Sequence, residues 1–385
     1  MSAPLILILL AASVFYFIWY FSHINGLRDL AHAAIAAKTL PGWNQPLMTE
    51  YVGIGPIDRL LTTLTTFFYP VADATSPGLF LHSIAFSGAF GAAWMMISLE
   101  SWRGGSAWTA AAFPSILGIA AQTLTFAFAT PTYGYLHLTR SLAARTPTVK
   151  NMRVPHGVIK ALPIVYTVAM QAPSIAMVLP FTKYMTHDRK QLAIAIWQPW
   201  PLYVSALLVL AHYTVGVAFS DASTPSNGRK IKSSLRYVYA FAFVATAVPH
   251  IIVLALSGAT VVAPRVFQTS YVDSWNPVKL FGLPLPWDMP AHKVTSVAEG
   301  VQIFLKWDFA IGSVSFLVWA LSLHRAAHRA AKVQIDQLAL LHRVVVLTLV
   351  SGLIGAGIEL LWEREELFLP DTEKPTQPVA RKRIQ

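Results

Sequence analysis

Residues 3–21 read APLILILLAASVFYFIWYF and contain no charged side chain. As a helix rising about 1.5 Å per residue, such a run crosses a hydrocarbon core of roughly 30 Å. A cleaved signal peptide is the competing reading. That segment type needs a basic flank before the apolar run and small residues after it. This run has no basic flank and ends in bulky aromatics, so a signal anchor is expected.

The rest of the chain repeats the pattern. Further apolar runs lie at 79–99, 108–130, 158–181, 192–219, 237–262, 300–323 and 343–362. The expected fold class is all-α, a polytopic transmembrane helical bundle of about eight spans. The run 192–219 is longer than one span and contains Pro199 and Pro201, which predicts a kink. Residues 22–53 form a polar loop. Residues 54–72 are threonine-rich and contain Asp58 and Arg59, which suits a short helix at the interface or dipping into the bundle. Residues 1–362 form one bundle domain, and the charged, proline-containing stretch 363–385 is expected to be a disordered tail.

Composition supports a membrane setting. The 385 residues are 55% hydrophobic and 12% charged, against about a quarter charged in soluble domains. The net charge of +11 does not point to nucleic acid, because the basic residues sit in short connections between apolar runs. These residues concentrate after the odd-numbered spans: Arg28, Lys38, Arg140, Arg145, Arg229, Lys232, Arg325 and Arg329 among others. That asymmetry places those connections in the cytosol and both termini on the lumenal side, although Arg381, Lys382 and Arg383 pull the other way. Residues 220–236 suit a flexible aqueous loop. The proline-rich connection 263–299 is then lumenal and long enough to be a lid or cap. Without cysteine there are no disulfides, thiolate zinc sites or Cys nucleophiles.

Carboxylates at membrane depth are costly and turn inward, towards a cavity or a partner. Asp308 lies in FLKWDFAIGSVSF and Glu359 in GLIGAGIELLW, both inside spans. Lys306 is two residues from Asp308 and faces elsewhere. Asp73 and Glu100 bracket the second span. Asp73 also suits helix capping, and Glu100 an interfacial ion pair with Arg103. Glu50 and Asp58 flank the amphipathic segment. A buried protonated carboxyl is a candidate general acid. Trp94, Trp307, Trp319, Tyr166, Tyr203, Phe67, Phe68 and Tyr69 lie in or beside spans, where aromatic faces either pack or stabilise cations.

Several chemistries have no motif. There is no D-x-x-D pair for a Mg²⁺–diphosphate clamp, no D-x-D-D motif, no histidine boxes, no Walker loop and no GxSxG elbow. Hence no metal and no cofactor is expected. His324 and His328 are spaced i, i+4, but Arg325 and Arg329 crowd them, which predicts a solvated basic face. His82, His212 and His250 could pair as haem ligands, but their spacing carries little signal for that, and hydrogen-bonded bundle residues are expected.

The segment FFYPVADATSPGLFLHSIAFSGAFGAAWMMISLESWRGG (67–105), with FLKWDFAIGS (304–313), resembles fungal membrane-bound meroterpenoid terpene cyclases of the ascochlorin/ascofuranone type. The resemblance runs over most of the chain. It implies a cyclase that protonates a terminal epoxide or alkene of a farnesyl-type chain on an aromatic head, with no metal and no loss of diphosphate. It also implies an integral membrane enzyme of secondary metabolism, located in the endoplasmic reticulum. By position, Asp73, Glu100 and Asp308 become acid or proton-relay candidates. Trp94 and Trp307 would line the cation path, and Arg103 and Tyr133 would orient polar groups. Phe68 and Tyr166 complete the expected substrate contacts, and Glu359 and Glu50 the list of acids. The alternative class is a proton-coupled transporter or lipid-binding membrane protein, since intramembrane acids also serve coupling. The chain has proline breaks but no inverted repeat. The sequence carries no signal of oligomeric state.

Overall fold

The structure, a computed structural model, describes residues 2–218, 226–289 and 292–368. It is all-helical, with no strand among the described residues beyond one isolated bridge between Thr39 and Pro46. The main helices are α1 (Ala3–Ile24), α2 (Leu27–Ala37), α3 (Gly55–Ala72), α4 (Pro77–Ser101), α5 (Pro114–Leu124), α6 (Phe126–Arg140) and α7 (Val149–Val178). The second half holds α8 (His187–Trp197), α9 (Trp200–Ala218), α10 (Ser226–Val262), α11 (Val297–Ala331) and α12 (Gln337–Phe368).

Six of these are long and apolar enough to cross a membrane, or seven if α8 and α9 count as one bent span. The expectation of about eight spans is approximate beside this count. The difference lies in the run 108–130, which is not one helix. It holds short 3-10 turns, then α5, then a break at Thr125 (φ 91°), then α6. Hydropathy averages over such a break because it measures transfer, not backbone geometry. The expected kink at Pro199 is present: α8 and α9 meet there at 54°.

Burial follows helical period. In α1, Leu7, Val14, Ile18 and Phe21 form a stripe that packs on α6 and α11, while Leu5, Ile8, Leu9 and Phe15 remain on the outside. Helix α4 is central, and its C-terminal half is almost wholly buried. Gly88 allows it to approach α10: a Cβ there would sit 2.5 Å from the Ala245 carbonyl. In α3, Asp58, Thr62, Thr65, Thr66 and Tyr69 face inward. Asp58 Oδ1 accepts from Val52 N–H (2.8 Å) and Tyr51 N–H (2.9 Å), which folds the preceding loop and holds the carboxyl below the usual carboxylate range. Buried Lys190 donates to the carbonyls of Ala72 (2.6 Å), Leu179 (2.6 Å) and Met177 (3.2 Å), closing the ends of α3 and α7.

Other expectations need correction. The polar loop 22–53 contains α2, whose apolar side packs on α3 and α11. Residues 226–236 are the first turns of α10 rather than loop, and 219–225 lie outside the described residues. The expected tail from 363 is helical through Phe368, because Arg364 and Glu365 are buried; 369–385, with the basic cluster at 381–383, lie outside the described residues. The connection 263–299 carries short helices at Thr269–Trp275 and Pro277–Phe281. It is tied down by bonds from Trp275 Nε1 to Pro77 O (2.9 Å) and Trp307 Nε1 to Pro284 O (2.8 Å).

Helix α12 breaks at Gly352, whose φ is 70°. The freed carbonyls find partners on α10: His250 Nε2 meets Leu349 O at 3.2 Å, and the Thr246 hydroxyl donates to Ser351 O at 3.4 Å. Backbone breaks at membrane depth persist only where protein groups supply such partners. Gly352→Ala places a Cβ at positive φ and 3.3 Å from His250 Nδ1. It should destabilise the protein by about 1–2 kcal/mol, seen as a lower midpoint in a thermal-aggregation assay in detergent.

Candidate active site

The break at Thr125 leaves the first N–H groups of α6 without helical partners. The Thr125 hydroxyl takes Phe128 N–H (3.2 Å), and Asp308 Oδ1, reaching from α11, takes Ala127 N–H (2.6 Å). The Phe126 N–H and the Thr125 side chain also lie beside the Asp308 carboxyl. This anchorage fixes the carboxyl on the wall of a cavity of about 580 Å³ between α4, α5, α7, α10 and α11, within the usual range for small-molecule sites.

The cavity is apolar and aromatic. Phe68, Phe86, Phe90, Phe126 and Trp197 line it. Phe86 and Phe90 are one helical turn apart on α4, and their rings lie 5.8 and 5.3 Å from Phe126. Asp308 is the one carboxyl among the lining residues, joined by the amides Gln122 and Gln171 and three serines. Lys306 turns away, donating to the carbonyls of Lys279 and Gly282 in the connection before α11. Ile175, Val244 and Val248 line the cavity yet are themselves exposed, so it opens sideways between α7 and α10 onto the apolar outer surface.

The other expected site residues are dispersed. Phe68 shares the cavity with Asp308. Trp307 faces the opposite side, stacked on Phe17 with centroids 4.3 Å apart. Trp94 packs with Trp200 in the core below Phe90 (centroids 6.0 Å), and Tyr166 bonds to the Ser98 hydroxyl (2.8 Å). Asp73 holds a turn: Oδ1 accepts from Thr75 N–H and hydroxyl (both 2.9 Å), and Oδ2 from Trp43 Nε1 (2.8 Å). Glu50 is exposed in the loop before α3. Glu359 is half-buried, within electrostatic reach of Arg343 and Glu363.

Glu100 and Arg103 are fully buried rather than interfacial. Arg103 Nη2 lies 2.9 Å from Glu100 Oε1, and Arg103 also pairs in a fork with Glu365, which accepts from the Tyr239 hydroxyl (3.2 Å). Arg364 donates to Glu100 Oε1. His137 accepts at Nδ1 from Trp319 Nε1 (3.2 Å), which leaves its Nε2 facing Glu100 Oε2 at 3.7 Å. Tyr133 stacks on His137 and bonds to Ile97 O (3.2 Å). Two carboxylates and two guanidiniums thus neutralise one another where α4, α10 and α12 meet. Sequence reasoning missed Arg364 and Glu365. The signal was the alternating run WEREE directly after an apolar stretch.

The residues 2–369 match the CtvD domain family. The chain belongs to that family. It is 31% identical to "Terpene cyclase ctvD" of Aspergillus terreus over 353 residues, covering 91% of this chain and 94% of the relative. It is 28% identical to "Terpene cyclase ascI" of Acremonium egyptiacum, covering 90% and 87%, and 26% identical to "Terpene cyclase atmA" of Aspergillus flavus, covering 94% and 96%. No solved structure matches. The chain is accordingly an enzyme of the terpene cyclase class, in keeping with the resemblance to fungal membrane-bound cyclases rather than with a transporter.

Because the four-charge network is buried and balanced, removing one cation leaves a carboxylate uncompensated. Arg103→Met should destabilise the fold by about 3–5 kcal/mol. Arg103→Met combined with Glu365→Met should recover much of that loss, as judged by the monodisperse fraction and melting midpoint in detergent.

Proposed function

We propose that this cyclase acts on a prenylated, farnesyl-type aromatic meroterpenoid precursor, and that Asp308 is the acid that starts cyclisation without a metal. The observation that carries this reading is the position of Asp308. It is the one carboxyl lining the aromatic cavity, whereas Glu100 is committed to guanidinium partners.

A prenyl chain partitions into lipid and enters through the lateral opening between α7 and α10. The Asp308 O–H proton passes to a terminal epoxide oxygen, the carbon–oxygen bond opens, and a tertiary cation forms. Alkene π electrons capture that cation and move it along the chain. The faces of Phe86, Phe90, Phe126 and Trp197 stabilise it through their quadrupoles. Exclusion of water protects the cation from hydration and keeps the electrostatic contacts strong. Loss of a proton from the last cation returns the carboxylate to its acid form. An alkene in place of the epoxide follows the same course after protonation at carbon. The proposed setting is the endoplasmic reticulum membrane, in which a lipid-soluble substrate dissolves.

Asp308→Asn keeps the oxygen that accepts Ala127 N–H, so the cap on α6 survives while the proton is lost. It should lower cyclisation of an epoxyfarnesyl arene in microsomes by roughly 10²–10⁴-fold with unchanged protein level. Cyclisation at the normal rate would remove Asp308 from the mechanism. Phe86→Leu keeps apolar volume but removes a ring face; its products should include more water-quenched, partially cyclised alcohol by mass spectrometry.

A further inference from the structure

His324 and His328 sit one turn apart on the inner face of α11, 1% and 5% exposed. This overturns the expected solvated basic face: Arg325 and Arg329 point outward, and the histidines point at α12. Their rings are 4.0 Å apart by centroid. Glu363 of α12 meets both, with Oε2 2.9 Å from His324 Nε2 and Oε1 3.7 Å from His328 Nε2.

The second nitrogens complete the picture. His328 Nδ1 lies 2.9 Å from the His324 carbonyl, a group that only accepts, so Nδ1 carries the hydrogen and the neutral ring presents its Nε2 lone pair to the cluster. A backbone carbonyl on the far nitrogen is the usual orienting partner of a metal-bound imidazole. His324 Nε2 donates to Glu363 Oε2 and its Nδ1 is buried without a partner, so this ring ligates a metal only after its hydrogen moves from Nε2 to Nδ1. One ligand atom from each of the three residues lies within 4.8 Å of the others; the edge of a tetrahedral site with bonds of about 2.0–2.2 Å is roughly 3.3–3.6 Å, so the side chains close in by small rotamer changes when they ligate an ion. Arg343 bonds to Glu363 Oε2 from a partly exposed position, so a bound cation would share that oxygen with the guanidinium or displace it.

We propose that His324, His328 and Glu363 form a zinc-class divalent metal site that clips α11 to α12 behind their connecting turn. Two imidazoles and one carboxylate are a ligand set that suits Zn²⁺. Three protein ligands leave the fourth position to water, and the site lies apart from the Asp308 cavity, so its role is to hold the helices rather than to act on substrate. It lies on the helix end that also supplies Arg364 and Glu365 to the buried charge network, and it plays no part in the acid chemistry at Asp308. Bound metal would hold that end in register.

The test uses the full chain in detergent, purified through a tag without histidine. The protein is loaded with Zn²⁺, desalted and analysed by inductively coupled plasma mass spectrometry beside His324→Ala/His328→Ala. About one zinc per chain is expected, lost in the double variant. Substoichiometric zinc in the unaltered chain, or equal zinc in both, would overturn the site. Removing two buried rings threatens folding, so Co²⁺ titration of the unaltered chain gives an independent reading. Intense visible ligand-field bands from a low-coordinate nitrogen–oxygen site are expected, and only the weak aqua-ion spectrum would refute it. Glu363→Gln keeps size and shape and should weaken Zn²⁺ binding by at least roughly tenfold; unchanged affinity would exclude the carboxylate as a ligand.

Discussion

The bundle depends on how one broken helix satisfies its backbone. Helix α5 stops at Thr125 and α6 restarts beside it, in a region where water does not reach freely. The N–H groups released by that break need an acceptor, and Asp308 of α11 supplies one through Ala127. An unpartnered buried N–H costs about 1–3 kcal/mol, so the carboxyl is held where the break puts it. That same anchorage leaves Asp308 on the wall of the aromatic cavity. Capping and chemistry are therefore compatible roles for one side chain. The backbone sets its position, and the proposed acid chemistry uses that position at the cavity wall.

The remaining buried charge is handled differently. Glu100, Arg103, Arg364 and Glu365 form a closed neutral set among α4, α10 and α12. Such a set contributes little net stability compared with an apolar replacement, but it is costly to break. It ties distant segments of the chain into one arrangement. A carboxylate that faces two guanidiniums is a poor proton donor, whereas one that faces aromatic rings and no cation is free to act as one. This contrast, more than depth in the bundle, separates the network from the candidate site.

The sequence made much of this legible. The uncharged run 3–21, the low charged fraction and the spacing of apolar stretches establish an all-helical membrane protein, because burial of backbone polar groups in lipid leaves few other structures. The kink at Pro199 was also legible, since proline removes a donor. Asp308 stood out because a carboxylate inside an apolar run needs a reason. Other features were hidden. Nothing local in LTFAF announces a break at Thr125, and hydropathy counts residues 108–130 as one span. Glu363, Arg364 and Glu365 look like the start of a solvated tail, because charge near a terminus usually is one.

Solvent and secondary structure were legible residue by residue, because transfer free energy is additive along the chain. Which costly residues meet was settled only in three dimensions. Asp73, Glu100 and Asp308 look alike as acids near spans. Folding gives the first a turn to hold, the second two arginines and the third an aromatic cavity. The same holds for His324 and His328, whose arginine neighbours suggested water until α12 brought Glu363 against them. A side chain's chemistry follows from its neighbours in space, and those neighbours here come from segments dozens to hundreds of residues away.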